Sequence, residues 1–167
     1  MELYLIRHAI AHERDAKSWP DDSARPLSDA GARRFRQAAA GLGTVIPRPD
    51  ELYSSPYIRA WETAELLARV AKWPAPKRLP LLAEPPQLSR LAQALSPHAK
   101  DARIALVGHE PFLSELATRL LLSGAGAALF EFKKGGIACL RLDGGPAPGA
   151  AILRWFLSPR LLRSLHG

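Results

Sequence analysis

Apolar positions along the chain fall into short runs separated by amphipathic stretches, and the runs read as strands. Leu3-Tyr4-Leu5-Ile6 is apolar at every position and stops abruptly at Arg7-His8. A run without polar alternation suits a strand covered on both faces, as in a parallel sheet. Ile104-Ala105-Leu106-Val107 repeats the pattern and stops at Gly108-His109. Glu51-Leu52-Tyr53-Ser54, closed by Ser55-Pro56, reads as another strand, as does Lys77 to Leu81. Three more are predicted over Ala128 to Phe132, Ile137 to Leu142 and Ala151 to Phe156, the last two joined by a Gly/Pro-rich turn.

Helical spacing fills the intervals. Ser28 is placed to cap a helix over Asp29 to Leu42, with Asp29 at the positive end of its dipole and Gly43 near the stop. Ile58 to Val70 and Gln87 to Leu95 read as two more helices. Pro111 fits the first turn of a helix running to about Leu122, before a turn at Gly124-Ala125-Gly126. Pro159 to Leu165 is predicted as a short terminal helix. Strands alternating with helices predict an α/β fold: one three-layer domain over residues 1–167, with a mostly parallel central sheet flanked by helices. Its core is expected over about residues 1–156.

Composition narrows the setting. The 167 residues are 47% hydrophobic and 23% charged, ordinary for a globular domain. The lone Cys139, in apolar surroundings, excludes a disulfide scaffold and reads as a buried thiol. No apolar run approaches the ~20 residues that cross a bilayer, and Arg7-His8 comes too soon for a signal-peptide core, so the cytoplasm is the expected address. The formal charge of +7 fits a phosphorylated substrate, an acidic protein or nucleic acid. Its cations are dispersed, at Arg33-Arg34-Arg36, at Lys133-Lys134, and at Arg160 and Arg163, without interleaved aromatics. Nucleic acid is therefore not the expected partner.

Candidate chemistry sits at strand ends. In an open parallel sheet a ligand binds beyond the carboxyl ends of the strands, so His8 and His109 are expected on one rim. Ser55-Pro56-Tyr57-Ile58-Arg59 enters a helix from the same rim. A helix N-terminus suits anions, and Arg59 can aim a fork of donors at phosphate oxygens. The plainer alternative pairs Arg59 with Glu62 at helical spacing. Together these segments describe a phosphate pocket with Arg7, Arg59, His8 and His109. A metal is not expected: His8 and His12 lie four apart, but no carboxylate or thiolate pattern completes a zinc site, and Arg7 opposes a cation. Gly124-Ala125-Gly126 and Gly135-Gly136 lack the ending of a P-loop and read as turns.

Leu5-Ile6-Arg7-His8-Ala9, Ser54-Ser55-Pro56 with Arg59 and Thr63, and Val107-Gly108-His109 occur in an order that resembles the histidine phosphatase superfamily, with its phosphoglycerate mutase-like fold. The short length and Arg25-Pro26-Leu27-Ser28, followed by Gly31, look like its SixA branch of phosphohistidine phosphatases. The resemblance implies that His8 is the nucleophile, transiently phosphorylated, and that Arg7, Arg59 and His109 hold the phosphoryl group. It implies no cofactor. Neighbouring arginines would disfavour imidazolium and keep His8 neutral. Arg25 is a candidate auxiliary substrate contact, or else caps the next helix or pairs with Asp29. Glu84 is the candidate general acid or substrate contact, though its surroundings do not match the family's acid motif, and a solvated loop carboxylate is the plain alternative.

The expected reaction is removal of phosphate from phosphohistidine on a partner protein, such as a histidine phosphotransfer domain. An imidazole leaving group can already be protonated, so little acid assistance is needed. Two alternatives stand beside it: hydrolysis of a small phosphate ester with Glu84 as acid, and a non-catalytic phosphate-binding module. In the latter, Trp155-Phe156-Leu157-Ser158-Pro159 would serve as a contact surface. A monomer is the default expectation.

Overall fold

The computed structural model of the chain describes residues 1–124 and 128–165. Its strands are β1 (Glu2–Arg7), β2 (Glu51–Ser54), β3 (Lys77–Arg78), β4 (Arg103–Gly108), β5 (Ile137–Leu142) and β6 (Ala151–Leu157). Its helices are α1 (Asp29–Val45), α2 (Ile58–Val70), α3 (Leu88–Leu95), α4 (Phe112–Leu121) and α5 (Pro159–Ser164). The strands form one sheet in the order β3-β2-β4-β1-β5-β6. The pairs β3–β2, β2–β4 and β4–β1 are parallel, while β1–β5 and β5–β6 are antiparallel. The sheet is thus mixed, with its parallel part on the side of β1 that carries β4.

Period-two alternation explains why β1 and β4 are apolar throughout. Tyr4, Ile6, Ala105 and Val107 face a core shared with Phe35 and Leu42 of α1, Leu67 of α2 and Leu162 of α5. Leu3, Leu5, Ile104 and Leu106 face the opposite core, with Leu91 and Leu95 of α3 and Leu116 and Leu120 of α4. Both faces are covered, so no position in these strands has reason to be polar. Cys139 lies inside the first core at 1% exposure, where burial pushes its thiol up to about 12.

Three elements depart from the expected boundaries. Gly43 does not end α1, which continues to Val45; a Cβ there would sit 3.1 Å from the Ala71 Cα, so this residue serves close packing of α1 against the end of α2. β3 stops at Arg78 because Pro80 begins a 3-10 turn over Pro80–Ala83. The strand expected over Ala128 to Phe132 does not form. Its backbone bonds instead to side chains: Leu129 N donates to Thr118 Oγ1 at 3.0 Å and Phe132 N to Glu110 Oε1 at 2.9 Å. Of the turn expected at Gly124-Ala125-Gly126, Ala125 and Gly126 lie outside the described residues. No described helix is long and apolar enough to cross a membrane.

The first turn of α1 is locked to the segment after β1. Ser28 Oγ accepts from Gly31 N at 3.1 Å, and Ser28 N donates to the Ile10 carbonyl at 3.1 Å. A Cβ on Gly31 would fall 2.0 Å from the Ile10 carbonyl oxygen, which cannot move without breaking that bond. Gly31→Ala should therefore destabilise the protein by about 2 kcal/mol or more, since overpacking outweighs the ~1 kcal/mol gained in helix propensity. Gly144→Ala, in open space, should be nearly neutral. Urea unfolding of both variants checks this, and a stabilised Gly31→Ala would show that α1 is free to shift away from Ile10.

Candidate active site

Strand register brings the expected residues together. Arg7 pairs with Gly108 across the parallel β1–β4 ladder, and His8 N then donates to the Gly108 carbonyl at 3.0 Å. Ser54 pairs with Val107, and Ser55 N donates to the Val107 carbonyl at 2.9 Å. Three strand ends thus finish side by side at one rim. The His8 and His109 ring centroids are 5.1 Å apart, and the two residues are only 7% and 6% exposed. Arg59 enters from the first turn of α2, also 6% exposed. Thr63, one turn later, ties that helix to the end of β1: its Oγ1 donates to the Arg59 carbonyl at 2.6 Å and accepts from Ala9 N at 3.0 Å.

Hydrogen bonds fix the ring of His8. Its Nδ1 lies 2.7 Å from the Ala9 carbonyl oxygen, which can only accept, so Nδ1 carries the proton and Nε2 keeps its lone pair. The His8 pKa falls to about 2, first through burial, then through His109, Arg59 and Arg7, against the raising effect of the Ala9 bond. Burial thus outweighs the arginines expected to keep this ring neutral. His109 falls to about 3, again through burial first and Arg59 next. Its Nε2 is 2.7 Å from Ser55 Oγ. That hydroxyl accepts the Tyr57 amide at 3.3 Å and has its own proton to give; where it donates to Nε2, the ring proton sits on Nδ1.

The arginines are held by oxygens at their edges. Arg7 Nη1 donates to the Phe132 carbonyl and, at 3.3 Å, to Glu131 Oε1. Arg59 does not pair with Glu62, which instead accepts the Leu27 amide at 2.7 Å. It donates to the Asp22 carbonyl at 2.6 Å and to Asp22 Oδ2 at 3.0 Å, with its guanidinium 5.0 Å from the Tyr57 ring centroid. Arg25 neither caps the following helix α1 nor pairs with Asp29: its Nε donates to Asp22 Oδ1 at 2.9 Å and its Nη1 to the His12 carbonyl at 2.7 Å. Asp22 therefore bridges the two arginines, and the Arg25 bond leads the causes that hold its carboxyl below the usual range. Nothing in the sequence singled out Asp22 except its place three residues before Arg25.

Among the described residues, the Nε–H donors of Arg7 and Arg59 and the ring atom His109 Nδ1 are buried polar groups without a partner. Each such group costs about 1–3 kcal/mol unless something accepts from it. Two other unpartnered atoms, on Trp73 and Arg141, belong to other parts of the molecule. Glu84 is placed differently: it is half-exposed and pairs with Arg90 on α3. No group of three or more His, Cys, Asp or Glu among the described residues could hold a metal. His12 stacks near Trp19, with centroids 5.8 Å apart.

Comparison with known proteins follows the same lines. The sequence profile of the histidine phosphatase superfamily (branch 1) matches residues 3–84. An uncharacterized protein of Picosynechococcus sp. is 36% identical over 143 residues, covering 84% of this chain and 85% of its own. The chain belongs to the histidine phosphatase superfamily. Superfamily membership supports a phosphatase. Among solved structures, the protein histidine phosphatase SixA complexed with tungstate superposes with a TM-score of 0.79 at 24% identity, covering 96% of this chain and 98% of its own. A chain of Agrobacterium tumefaciens assigned as SixA superposes with a TM-score of 0.74 at 24% identity, over 95% and 98%. These likenesses establish the phosphoglycerate mutase-like fold.

Depressed imidazole pKa values make stability depend on pH in a definite direction. An unfolded chain protonates His8 and His109 below about 6.5, whereas the folded chain leaves them neutral down to about 2 and about 3. The unfolded state binds more protons in that interval, so stability is lost as pH falls through it, by up to about 1.4 kcal/mol per pH unit per ring. Asp22 acts only near pH 4 and below. Urea unfolding at about pH 7 and about pH 5 should show the loss, with a shallower dependence in His109→Asn. An unfolding free energy that is flat across this interval would refute the neutral pair.

Proposed function

We propose that the protein is a phosphohistidine phosphatase of the SixA type, acting on a phosphorylated histidine of a partner protein. What carries the reading is a neutral nucleophile beside unpartnered cationic donors: His8 presents Nε2 as a lone pair, and Arg7 and Arg59 keep Nε–H groups that nothing else accepts. A phosphoryl group supplies the oxygens those donors lack, and it is the kind of ligand that buried arginines favour.

The reaction runs in two displacements. His8 Nε2 attacks phosphorus in line, a new P–N bond forms, and the P–N bond to the substrate histidine breaks. The departing imidazole keeps the electron pair of that bond and takes its proton from solvent or arrives already protonated. Arg7, Arg59 and His109 hold the oxygens throughout, where preorganised charge contributes most to phosphoryl transfer. Arg25 acts at one remove, through Asp22. Water then attacks the phosphorylated His8, inorganic phosphate leaves, and Nε2 recovers its lone pair. As written, the scheme calls on no metal or cofactor.

A phosphoramidate leaving group also suits the position of Glu84. That carboxylate is engaged by Arg90, so an ester, whose alkoxide needs a proton, would find its acid occupied by an ion pair. Turnover of a phosphorylated histidine phosphotransfer domain, with mass detection of phosphate on the His8 peptide, tests the mechanism. His8→Ala should lose at least about 1,000-fold in rate and all peptide phosphorylation, as removal of a covalent nucleophile does. Full activity in that variant would overturn the scheme. Glu84→Gln should leave phosphohistidine turnover within about threefold, because general acid catalysis is worth 10²–10⁴ where it operates. A loss of that size would instead favour the small-ester reading.

A further inference from the structure

Basic residues that lie far apart along the sequence meet in space. Arg34 on α1, Lys134 in the turn before β5, and Arg163 on α5 line one recess, floored by Ala9, Ile10 and Phe35. They meet because α5 docks on α1, with Leu162 sharing a core with Phe35 and Ala38. The recess holds about 20 Å³, room for roughly one water, so it is too small to be a metabolite site. None of the three cations lies within ion-pair distance of a carboxylate among the described residues. Of the nearby acids, Glu131 is engaged with Arg7.

This face adjoins the catalytic rim. Ile6 pairs with Ile137, and Ile137 with Leu157, so β6 delivers α5 to the carboxyl end of β1, where His8 stands. Gly135, next to Lys134, has φ +83° and donates its N–H to the carbonyls of Arg7 and His8 at 3.1 Å. Ala9 and Ile10 follow His8 directly. A macromolecule presenting a phosphohistidine to His8 therefore brings the flanking part of its own surface against Arg34, Lys134 and Arg163. We infer that this cationic face docks an acidic segment of the substrate protein next to its phosphohistidine, an inference that rests on the phosphatase reading above. Charge complementarity gives it its sign. Three close cations repel one another and raise the local concentration of an anionic partner. The single aromatic ring in the recess, Phe35, is 4% exposed and offers no platform for base stacking.

The test uses phosphohistidine peptides flanked on both sides by glutamates or by glutamines, with free phosphohistidine as the small substrate. The unaltered protein should favour the acidic peptide in kcat/KM by about tenfold at low ionic strength, and by no more than about twofold at high ionic strength, as screened charge requires. Combined Arg34→Glu, Lys134→Glu and Arg163→Glu should abolish the preference and leave turnover of free phosphohistidine within about twofold. Should that reversal unfold the chain, Arg34→Gln with Arg163→Gln should reduce the preference partway. Equal turnover of the two peptides, a preference that survives charge removal, or stronger competition from a single-stranded oligonucleotide than from the unphosphorylated acidic peptide would each overturn the docking face. Absence of turnover of free phosphohistidine and of both peptides by the unaltered protein would remove the phosphatase reading itself, and this inference with it.

Discussion

Parallel hydrogen bonding between the ends of β1 and β4 is the constraint on which the rest of the molecule depends. One bond, from His8 N to the Gly108 carbonyl, sets two imidazoles from distant parts of the chain about 5 Å apart. A slip of one residue in that ladder would turn every side chain to the opposite face of the sheet. It would also expose the apolar sets of both strands, which are buried on two sides. The same register that builds the core therefore aligns the site, and neither can be changed without the other.

Electrostatics follow from where that register puts the groups. Imidazoles and guanidinium groups share a space with little water, so protons leave the imidazoles and the arginines look for oxygens. Asp22 and the Phe132 carbonyl satisfy part of that demand, and the guanidinium Nε–H groups stay unmatched. Asp22 is too firmly bound to Arg25 and Arg59 to serve as a proton donor near neutrality, and its work is to position them. On the proposed reading, a bound phosphoryl group offsets the cost of gathering positive charge in a buried place, and the site draws its affinity from that exchange.

Much of this was legible in the chain. Unbroken apolar runs ending in Arg7-His8 and Gly108-His109 announced strands buried on both faces, and Ser28 announced the start of α1. Ordered motifs then gave the family. Other features were hidden because they depend on distant partners. The segment from Ala128 to Phe132 has strand-like composition, but its backbone is claimed by the side chains of Thr118, Glu110 and Arg7. Gly43 resembles a helix stop and serves instead as a contact for Ala71. Arg59 has a carboxylate at ideal spacing in Glu62 and takes Asp22, which opens a short 3-10 turn over Asp22–Ala24 and is marked in the sequence only by its place before Arg25. Burial, the largest influence on both imidazoles, is a property of the assembled layers and has no signature in any one segment.

The most direct test of the account is a crystal structure of the protein soaked with orthovanadate, a mimic of the phosphoryl group in transfer. The account predicts vanadium bonded to His8 Nε2, with its oxygens accepting from Arg7 Nε, Arg59 Nε and His109 Nδ1. Vanadium bonded to another residue, or density at His8 with those donors still unpartnered, would contradict it.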